Sequence, residues 1–278
     1  GALVVVAIGF LDDRRDTNPY MRLVAQFIAA GIVAAAGIGI AFATNPMTGG
    51  ILDFSIFKFT FTTYGEVHSV WILSSLLAIV WIVSLMNSVS WSSGVDGQLS
   101  GFTAIAALFI TLSSLEYSAD ITQWPATILA AATFGAFLGF LPWHVFPQKI
   151  MPGFGGATLA GFMLAVLSIL TATKVGTLLL ILGIPIADSA IVAVRRLLQG
   201  KSPVWGDRKH LHHRLLDAGW SKQKIAIFYW GTTALLGVLA LNLNAQGKLY
   251  TMVGIVLLVG GLMFWTKLNA KKVIKLIS

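Results

Sequence analysis

The feature that most constrains this chain is its series of long apolar windows. Most of them contain the roughly 18 to 22 residues that an α-helix needs to cross about 30 Å of hydrocarbon. The sequence therefore predicts an all-α fold, a polytopic transmembrane helical bundle with about nine membrane segments, the first of them incomplete. The windows cover approximately residues 1–10, 22–43, 69–87, 99–115, 126–143, 156–172, 176–194, 225–243 and 250–267.

Composition supports the same fold class. Hydrophobic residues make up 56% of the 278 residues and charged residues only 11%, whereas a soluble domain carries about a quarter charged residues. We expect a single transmembrane domain over residues 1–278, with a histidine-rich loop at 195–224 within it.

The chain has no cysteine, which excludes disulfides and cysteine-based metal sites. Because it opens inside an apolar run without a basic n-region, we expect an N-terminal portion to precede it.

The charged residues between the windows predict the topology. Basic residues concentrate in some connections, whereas the connection that holds Glu116 and Asp120 has no base. By the positive-inside rule, the base-rich face is cytoplasmic. In a membrane protein the net charge of +8 bears on topology, so we expect no nucleic acid partner. The segments expected on the cytoplasmic face are 11–22, 87–98, 144–155, 195–224 and the C terminus.

Two polar segments on that face carry carboxylates. Asp12 and Asp13 stand where a helix leaves the membrane, and Asp96 is the only charge in the Gly- and Ser-rich segment 87–101. Adjacent carboxylates at a membrane border are costly to desolvate unless they meet a cation or stay wet. Such a pair can hold Mg²⁺ through oxygen ligands, or one member can act as a general base. The alternatives are a solvated loop neutralised by the two arginines that follow the pair, and an ordinary turn at 87–101.

A third segment groups histidines with basic residues. His210, His212 and His213 lie within "DRKHLHHRLLDAGW" beside Arg208, although the whole chain has only five histidines. Their spacing does not match the i, i+4 pair of a helical zinc site, so phosphate or pyrophosphate is the favoured partner. A basic loop resting on anionic lipid headgroups is the alternative, but it does not explain three histidines close together.

A fourth segment, "GFLPWHVFPQKIMPGFGGATLAGF", places a run of glycines before a helix. The N-terminus of a helix can hold phosphate oxygens. Glycine runs between membrane helices are also common, so an ordinary connection remains the alternative.

In order and spacing, these segments resemble those of one family, the polyprenyl-phosphate N-acetylhexosamine-1-phosphate transferases. The resemblance is carried by "GFLDDRRDTNPYMRLVAQFIAA" and by "PIADSAIVAVRRLLQGKSPVWGDRKHLHHRLLDAG", which includes the intramembrane Asp188. The O-antigen and teichoic acid branch is more similar than the peptidoglycan branch. The family's N-terminal helices are absent from this sequence.

The resemblance implies a transferase of the plasma membrane in cell-envelope synthesis. Its substrates would be polyprenyl phosphate and a UDP-N-acetylhexosamine, its cofactor Mg²⁺, and its assembly a possible homodimer. Catalytic roles are implied for Asp12, Asp13 and Asp96, and metal binding for Asp12 and Asp13. The residues implied to bind phosphate or substrate are Asn87, Arg208, His210, His212 and His213.

The sequence departs from the family pattern at the same site. The position of the family's acidic metal ligand holds Phe154, which offers no lone pair to Mg²⁺, and two polar positions of the same segment hold His144 and Ala157. In the loop of Asp96, Ser93 replaces the family's first Asp and Ser90 replaces an Asn. Three hypotheses follow: an active transferase with a rearranged site, an inactive relative that binds a lipid phosphate, and a structural subunit of a membrane assembly. The surroundings of the Phe154 side chain are expected to discriminate among them.

Overall fold

A computed structural model describes residues 1–63, 66–171 and 175–277, and the turn expected around Lys174 lies outside these ranges. The helices are α1 (Ala2–Arg15), α2 (Pro19–Ala35), α3 (Ile72–Trp91), α4 (Gln98–Leu115), α5 (Trp124–His144), α6 (Gly153–Leu170), α7 (Val175–Ile181), α8 (Gly183–Leu198), α9 (Leu211–Asp217), α10 (Lys222–Asn242) and α11 (Ala245–Ile277). The strands are β1 (Phe42–Thr44), β2 (Ile51–Asp53), β3 (Lys58–Thr63) and β4 (Glu66–Trp71).

The helices confirm the predicted polytopic helical bundle. Among the described residues, six helices are long and apolar enough to cross a membrane: α3, α4, α5 with the turn before it, α6, α10 and α11. The bent pair α7 and α8 makes a seventh if it counts as one span. The expected count of nine is not confirmed, because α1 and α2 have only 14 and 17 residues. Each predicted window nevertheless contains a helix.

The bend between α7 and α8 has a local cause. The two helices meet at an angle of 84°, and Gly183 and Pro185 lie in the first turn of α8. Proline has no N–H to bond the carbonyl four residues earlier, and glycine has low helix propensity, so the helix breaks here. The break sets the direction of α8, which carries the buried Asp188.

The connection between α2 and α3 contains two hairpins that the sequence analysis did not predict. In the first, β1 pairs antiparallel with β2, and in the second, β3 pairs antiparallel with β4. Phenylalanine and threonine alternate along β3 in "KFTFTT", and aromatic and β-branched residues favour strands. The chain is thus a helical bundle with a small β-structured connection at one end.

Helix α6 packs at the centre of the first half of the bundle, in contact with α1, α3, α4 and α5. Glycines allow the close approach. A Cβ on Gly9 of α1 would overlap the backbone of Gly155, and one on Gly161 would overlap the backbone of α3. Small residues at such contacts let membrane helices approach backbone to backbone. The close crossing brings the end of α1, with Asp13, to the beginning of α6.

Side-chain contacts bring four connections together at one end of the bundle, here called the loop end. Asp13 contacts the backbone of Phe154, and Asp96 contacts both Gln148 and Lys222. These contacts join segments 11–22, 87–98, 144–155 and 195–224, which the sequence predicts on one face of the membrane. That this face is cytoplasmic remains a prediction.

Candidate functional site

Asp12 lies in the last turn of α1 with 8% of its surface exposed. Its Oδ1 accepts hydrogen bonds from the backbone N–H of Thr17 at 2.9 Å and from the Thr17 hydroxyl at 2.5 Å. The Nε of Arg22 lies 2.6 Å from the same oxygen, and its Nη2 lies 2.7 Å from Oδ1 of Asp16. The cation that neutralises Asp12 therefore comes from α2 and not from either arginine that follows the acidic pair.

The local sequence explains how Arg22 reaches back to α1. Asn18 caps α2 by accepting a hydrogen bond from the backbone N–H of Tyr20 at 2.9 Å, and Pro19 occupies the first helical position. Both are preferred at helix starts. Only three residues thus separate the end of α1 from the beginning of α2. Arg22, in its first turns, donates from Nε to the carbonyl of Thr17 at 3.0 Å.

Asp13, the second carboxylate of the pair, is exposed and points to the start of α6. Its Oδ1 accepts the backbone N–H of Phe154 at 2.9 Å. Gly153 has a φ of 62°, and a Cβ there would overlap the Asp13 carboxylate. The N–H at the start of α6, where the glycine run suggested a phosphate, is therefore bonded to Asp13.

The Phe154 ring lies beneath the guanidinium group of Arg22. The guanidinium carbon is 5.0 Å from the ring centroid, within the range of a cation–π contact. Asp12, Asp13, Arg22 and Phe154 together are called the carboxylate corner below. In it, the aromatic ring of Phe154 and the guanidinium group of Arg22 lie beside the two carboxylates.

Asp96 lies in the loop between α3 and α4 with 6% of its surface exposed. Its Oδ1 accepts a hydrogen bond from Nζ of Lys222 at 2.9 Å, and its Oδ2 accepts the backbone N–H of Gln148 at 3.3 Å. Burial raises the pKa of Asp96, but the hydrogen bonds and the charge of Lys222 outweigh it, so the pKa lies below its ordinary value. Nearby, the buried His144 pairs through Nδ1 with the Ser100 hydroxyl at 2.7 Å.

The histidine motif is built on a buried carboxylate. Asp188 in α8 is fully buried. Its Oδ2 lies 3.0 Å from Nδ1 of His210, and its Oδ1 accepts the backbone N–H of Leu211 at 2.9 Å. The rings of His210 and His212 are parallel with centroids 6.1 Å apart, and His213 lies 4.1 Å from His212. Asp188 and the three histidines are called the histidine cluster below.

Burial lowers the pKa of two histidines of the cluster, His212 and His213. His212 is 1% exposed, and both of its ring nitrogens are buried without a hydrogen-bond partner in the described part of the chain. Burial, followed by the charges of His213 and His210, lowers the pKa of His212 to about 3. Burial and Arg208 also lower the pKa of His213. At neutral pH these two rings can donate or accept hydrogen bonds but add no positive charge, whereas Arg208 is exposed.

The loop before the histidines is tied to α8 by an ion-pair cluster. Asp207 Oδ2 lies 2.6 Å from Nη2 of Arg195 and 3.1 Å from Nη1 of Arg196. Burial raises the pKa of Asp207, but the hydrogen bond from Arg196 and the charge of Arg195 outweigh it and lower the pKa. On the other side, Arg214 Nη1 donates to the carbonyl of Met263 in α11 at 2.9 Å. These contacts hold segment 195–224 against the bundle.

The loop 92–97 packs directly on the histidine cluster. A Cβ on Gly94 would overlap the ring of His212, so only glycine permits this contact without a shift. The loop that carries Asp96 and the helix that carries His212 are thereby brought together. Their sequence separation gives no indication of the contact.

An apolar groove of about 490 Å³ opens beside the cluster. Its walls come from α2, α3, α8 and the segment Pro203–Val204. Asn87 lines it and donates from Nδ2 to Oε1 of Gln26 at 2.7 Å and to the carbonyl of Val83 at 2.8 Å. Trp91 also lines it, with its ring centroid 5.9 Å from that of His210. The groove therefore adjoins the histidine cluster at its Trp91 end.

The expected Mg²⁺ ligands do not form a metal site in this arrangement. Within residues 1–63, 66–171 and 175–277, no three His, Asp or Glu side chains stand close enough to hold a metal ion together. Asp12 and Asp96 are each paired with a basic side chain, whereas Mg²⁺ is bound through carboxylate oxygens that are free to coordinate it. The described residues therefore do not fit a Mg²⁺ ion that is held by protein side chains alone.

Three further residues at the site were not predicted as functional. In the sequence, Arg22 and Lys222 are two of the basic residues in the connections, and Trp91 lies in the Gly- and Ser-rich segment 87–101. Arg22 carried a signal, because a basic residue close in sequence to a border carboxylate is a candidate partner for it. Lys222 carried none, because it lies 126 positions from Asp96. Trp91 carried none, because its contact with His210 depends on how α3 and the histidine loop pack.

Comparison with known proteins adds independent findings. The family described as "Glycosyl transferase family 4" matches residues 1–172. The decaprenyl-phosphate N-acetylglucosaminephosphotransferase of Mycolicibacterium smegmatis is 26% identical over 279 residues, with 92% of this chain and 65% of the relative covered. The probable undecaprenyl-phosphate N-acetylglucosaminyl 1-phosphate transferase of Bacillus subtilis is 27% identical over 237 residues, with 82% and 60% covered.

The similar proteins also include one with a different named function. The phospho-N-acetylmuramoyl-pentapeptide-transferase of Bacillus licheniformis is 31% identical over 173 residues, with 61% of this chain and 51% of the relative covered. The chain thus spans 65%, 60% and 51% of the lengths of these three relatives.

Proposed function

We propose that this chain, which belongs to glycosyl transferase family 4, transfers a sugar-1-phosphate from a UDP-linked N-acetylhexosamine to polyprenyl phosphate in cell-envelope synthesis. The observation that carries the proposal is the apolar groove that adjoins the histidine cluster at the loop end. The names of the similar proteins, which specify decaprenyl or undecaprenyl phosphate, support the same substrate class.

The groove is suited to the lipid substrate. Its walls are mostly apolar, with Asn87 and three serines as the polar exceptions, so an isoprenoid chain would bury apolar surface there. The phosphate of the lipid would lie toward Trp91 and His210, close to the exposed Arg208. Arginine binds phosphate oxygens with charge-assisted hydrogen bonds.

The proposed reaction exchanges one pyrophosphate linkage for another. An oxygen of the lipid phosphate attacks the sugar-bearing phosphorus of the UDP-sugar and forms a new P–O bond. The bond from that phosphorus to the bridging oxygen breaks, and the oxygen leaves with UMP. Such transfers need positioning and charge neutralisation more than covalent help from the protein.

The residues of the histidine cluster would position phosphate groups. With Oδ2 of Asp188 beside Nδ1 of His210, the His210 proton would lie on Nδ1, which would leave Nε2 for a ligand. His213, neutral and half-buried, would add a hydrogen bond. Asp96, with its lowered pKa, is ionised at neutral pH and would fix Lys222 near the leaving group.

The proposal includes the orientation of the chain in the membrane and its assembly. The loop end would face the cytoplasm, where UDP-sugars are available, and its excess of Lys and Arg supports this. A homodimer would be compatible with the exposed apolar helix faces, which lipid can cover equally well.

The experiment that tests the proposal measures UMP released from UDP-N-acetylglucosamine by the purified chain with polyprenyl phosphate. We expect release that falls at least about tenfold in His210→Ala, since a charge-assisted hydrogen bond is lost. Asp217→Asn, at an exposed position of α9, is the matched control and should retain the rate.

Two outcomes would contradict the proposed transfer reaction, and each would favour a different function. Polyprenyl phosphate binding that His210→Ala weakens, without any UMP release, would indicate an inactive relative that binds lipid phosphate. Neither binding nor release by the folded chain would favour a structural subunit of a membrane assembly.

A further inference from the structure

Two of the buried carboxylates at the loop end, Asp12 and Asp96, already have basic partners from other helices. Oδ1 of Asp12 lies 2.6 Å from Nε of Arg22, and Oδ1 of Asp96 lies 2.9 Å from Nζ of Lys222. Both carboxylate side chains are 7% exposed. Burying a carboxylate is costly unless it is paired and hydrogen-bonded, and here each pairing is made by the protein itself.

Beside Asp13, the neighbouring residues add no further ligand for a metal ion. Phe154 bonds Asp13 through its backbone N–H, and its ring lies under the Arg22 guanidinium. An aromatic ring offers no lone pair to a hard cation. A divalent ion at this place would also stand next to the fixed positive charge of Arg22, which repels it.

The two cations keep donors that their carboxylates do not use. Arg22 has five N–H donors, and its side chain is 23% exposed. Lys222 has three donors, and its side chain is 45% exposed, above the ring of Phe146 at 5.6 Å. Each can therefore hold its acid and still offer an N–H to an anion that arrives from the loop end.

We propose that the site binds its phosphate-bearing ligand without a divalent cation, with Arg22 and Lys222 as its resident positive charges. The nature of the ligand, a pyrophosphate, rests on the proposed function. The independence from metal rests on the carboxylate pairings and on Phe154. Asp12 and Asp96 then act as positioning residues that fix the two cations.

The first experiment measures metal binding. The purified full chain is titrated with Mn²⁺, and bound ion is followed by electron paramagnetic resonance. We expect no saturable binding that depends on Asp13 in the unaltered chain. A single bound Mn²⁺ that disappears in Asp13→Asn would overturn the proposal.

The second experiment measures binding of inorganic pyrophosphate in the presence of EDTA. We expect binding that weakens at least about tenfold in Arg22→Gln and in Lys222→Gln, since each loses a charged donor. Arg15→Gln and Lys224→Gln remove one charge each from exposed neighbouring positions and serve as matched controls that should bind as before.

Arg22→Gln leaves Asp12 without its cation and could fail to fold. Arg22→Lys keeps the charge and should recover at least part of the pyrophosphate affinity. Pyrophosphate that binds only when Mn²⁺ replaces EDTA, or that binds equally to the Gln variants and to the controls, would overturn the proposal.

The two proposals fail in distinguishable ways. UMP release that requires Mg²⁺ would contradict the metal-free site and leave the proposed function standing. Pyrophosphate binding in EDTA without any UMP release would contradict the proposed function and leave the metal-free site standing.

Discussion

The carboxylate corner and the histidine cluster both read as charged motifs in the sequence, yet the fold gives them different chemistry. In the corner, Asp13 and Arg22 keep contact with solvent and act through full charges. In the cluster, Asp188 and His212 are buried, and the His212 ring has a pKa of about 3. Burial without an opposite charge, as at His212, leaves a titratable side chain with hydrogen bonds and no charge, whereas the buried Asp12 has the cation Arg22 beside it.

The largest effect is expected from removing the carboxylate beneath the histidine cluster. Asp188→Ala leaves the buried donors of His210 and Leu211 without an acceptor, which should lower the free energy of unfolding by about 3 kcal/mol. Thermal unfolding in detergent measures the effect. Asp217→Ala, an exposed acid of α9, is the control, and equal losses in both variants would show that the buried pairing does not stabilise the cluster.

The second effect depends on pH. His212 has a folded-state pKa of about 3, against an ordinary value of 6.5. Between these values the unfolded chain binds a proton that the folded chain does not, so stability is full above pH 6.5 and falls as the pH is lowered. At pH 5 the loss relative to pH 7 should be about 2 kcal/mol. Comparing the unfolding temperature at the two pH values in the unaltered chain and in His212→Gln tests this, and an equal drop in both would exclude His212 as the cause.

The third effect belongs to the carboxylate corner. Arg22→Gln removes the cation from Asp12, which keeps its two hydrogen bonds from Thr17. We expect a loss of about 1.5 kcal/mol, between the values typical of exposed and buried ion pairs. The loss should be recovered in part when Asp12→Asn is added, because no unpaired charge then remains. A double variant as unstable as the single one would mean that Arg22 acts through packing on Phe154.

The smallest effect is expected at Lys222. Its side chain is 45% exposed, so Lys222→Gln should lower the free energy of unfolding by only about 0.5 kcal/mol, as for other exposed pairs. Chemical denaturation in detergent, with Lys224→Gln as the control, measures the difference. A loss as large as that of Arg22→Gln would show that the two pairs are energetically alike.

Much of the fold was predictable because it follows from local patterns. Every apolar window contains a helix, and the alternation of charged connections placed the loop end on one face. The hairpins after α2 were missed, although the alternation of Phe and Thr in β3 is a strand signal. The count of nine spans is not confirmed, because α1 and α2 are apolar but short.

The candidate site was predictable only as a set of residue types. The sequence indicated that Asp12, Asp13, Asp96 and the three histidines belong to one face, but not which cation meets which acid. The pairing of Asp12 with Arg22 depends on the short turn before α2. The pairing of Asp96 with Lys222 joins residues 126 positions apart, which no local pattern can indicate.

By itself, then, the sequence determined the apolar spans, the family and the residue types at the loop end, since hydropathy and motifs are local properties of a chain. Only the tertiary structure decided the electrostatics. It buried His212 and so made it neutral, and it placed Arg22 over Phe154 beside the two carboxylates. The physical reason is that desolvation and Coulomb interactions depend on distances in space, and helix packing sets those distances.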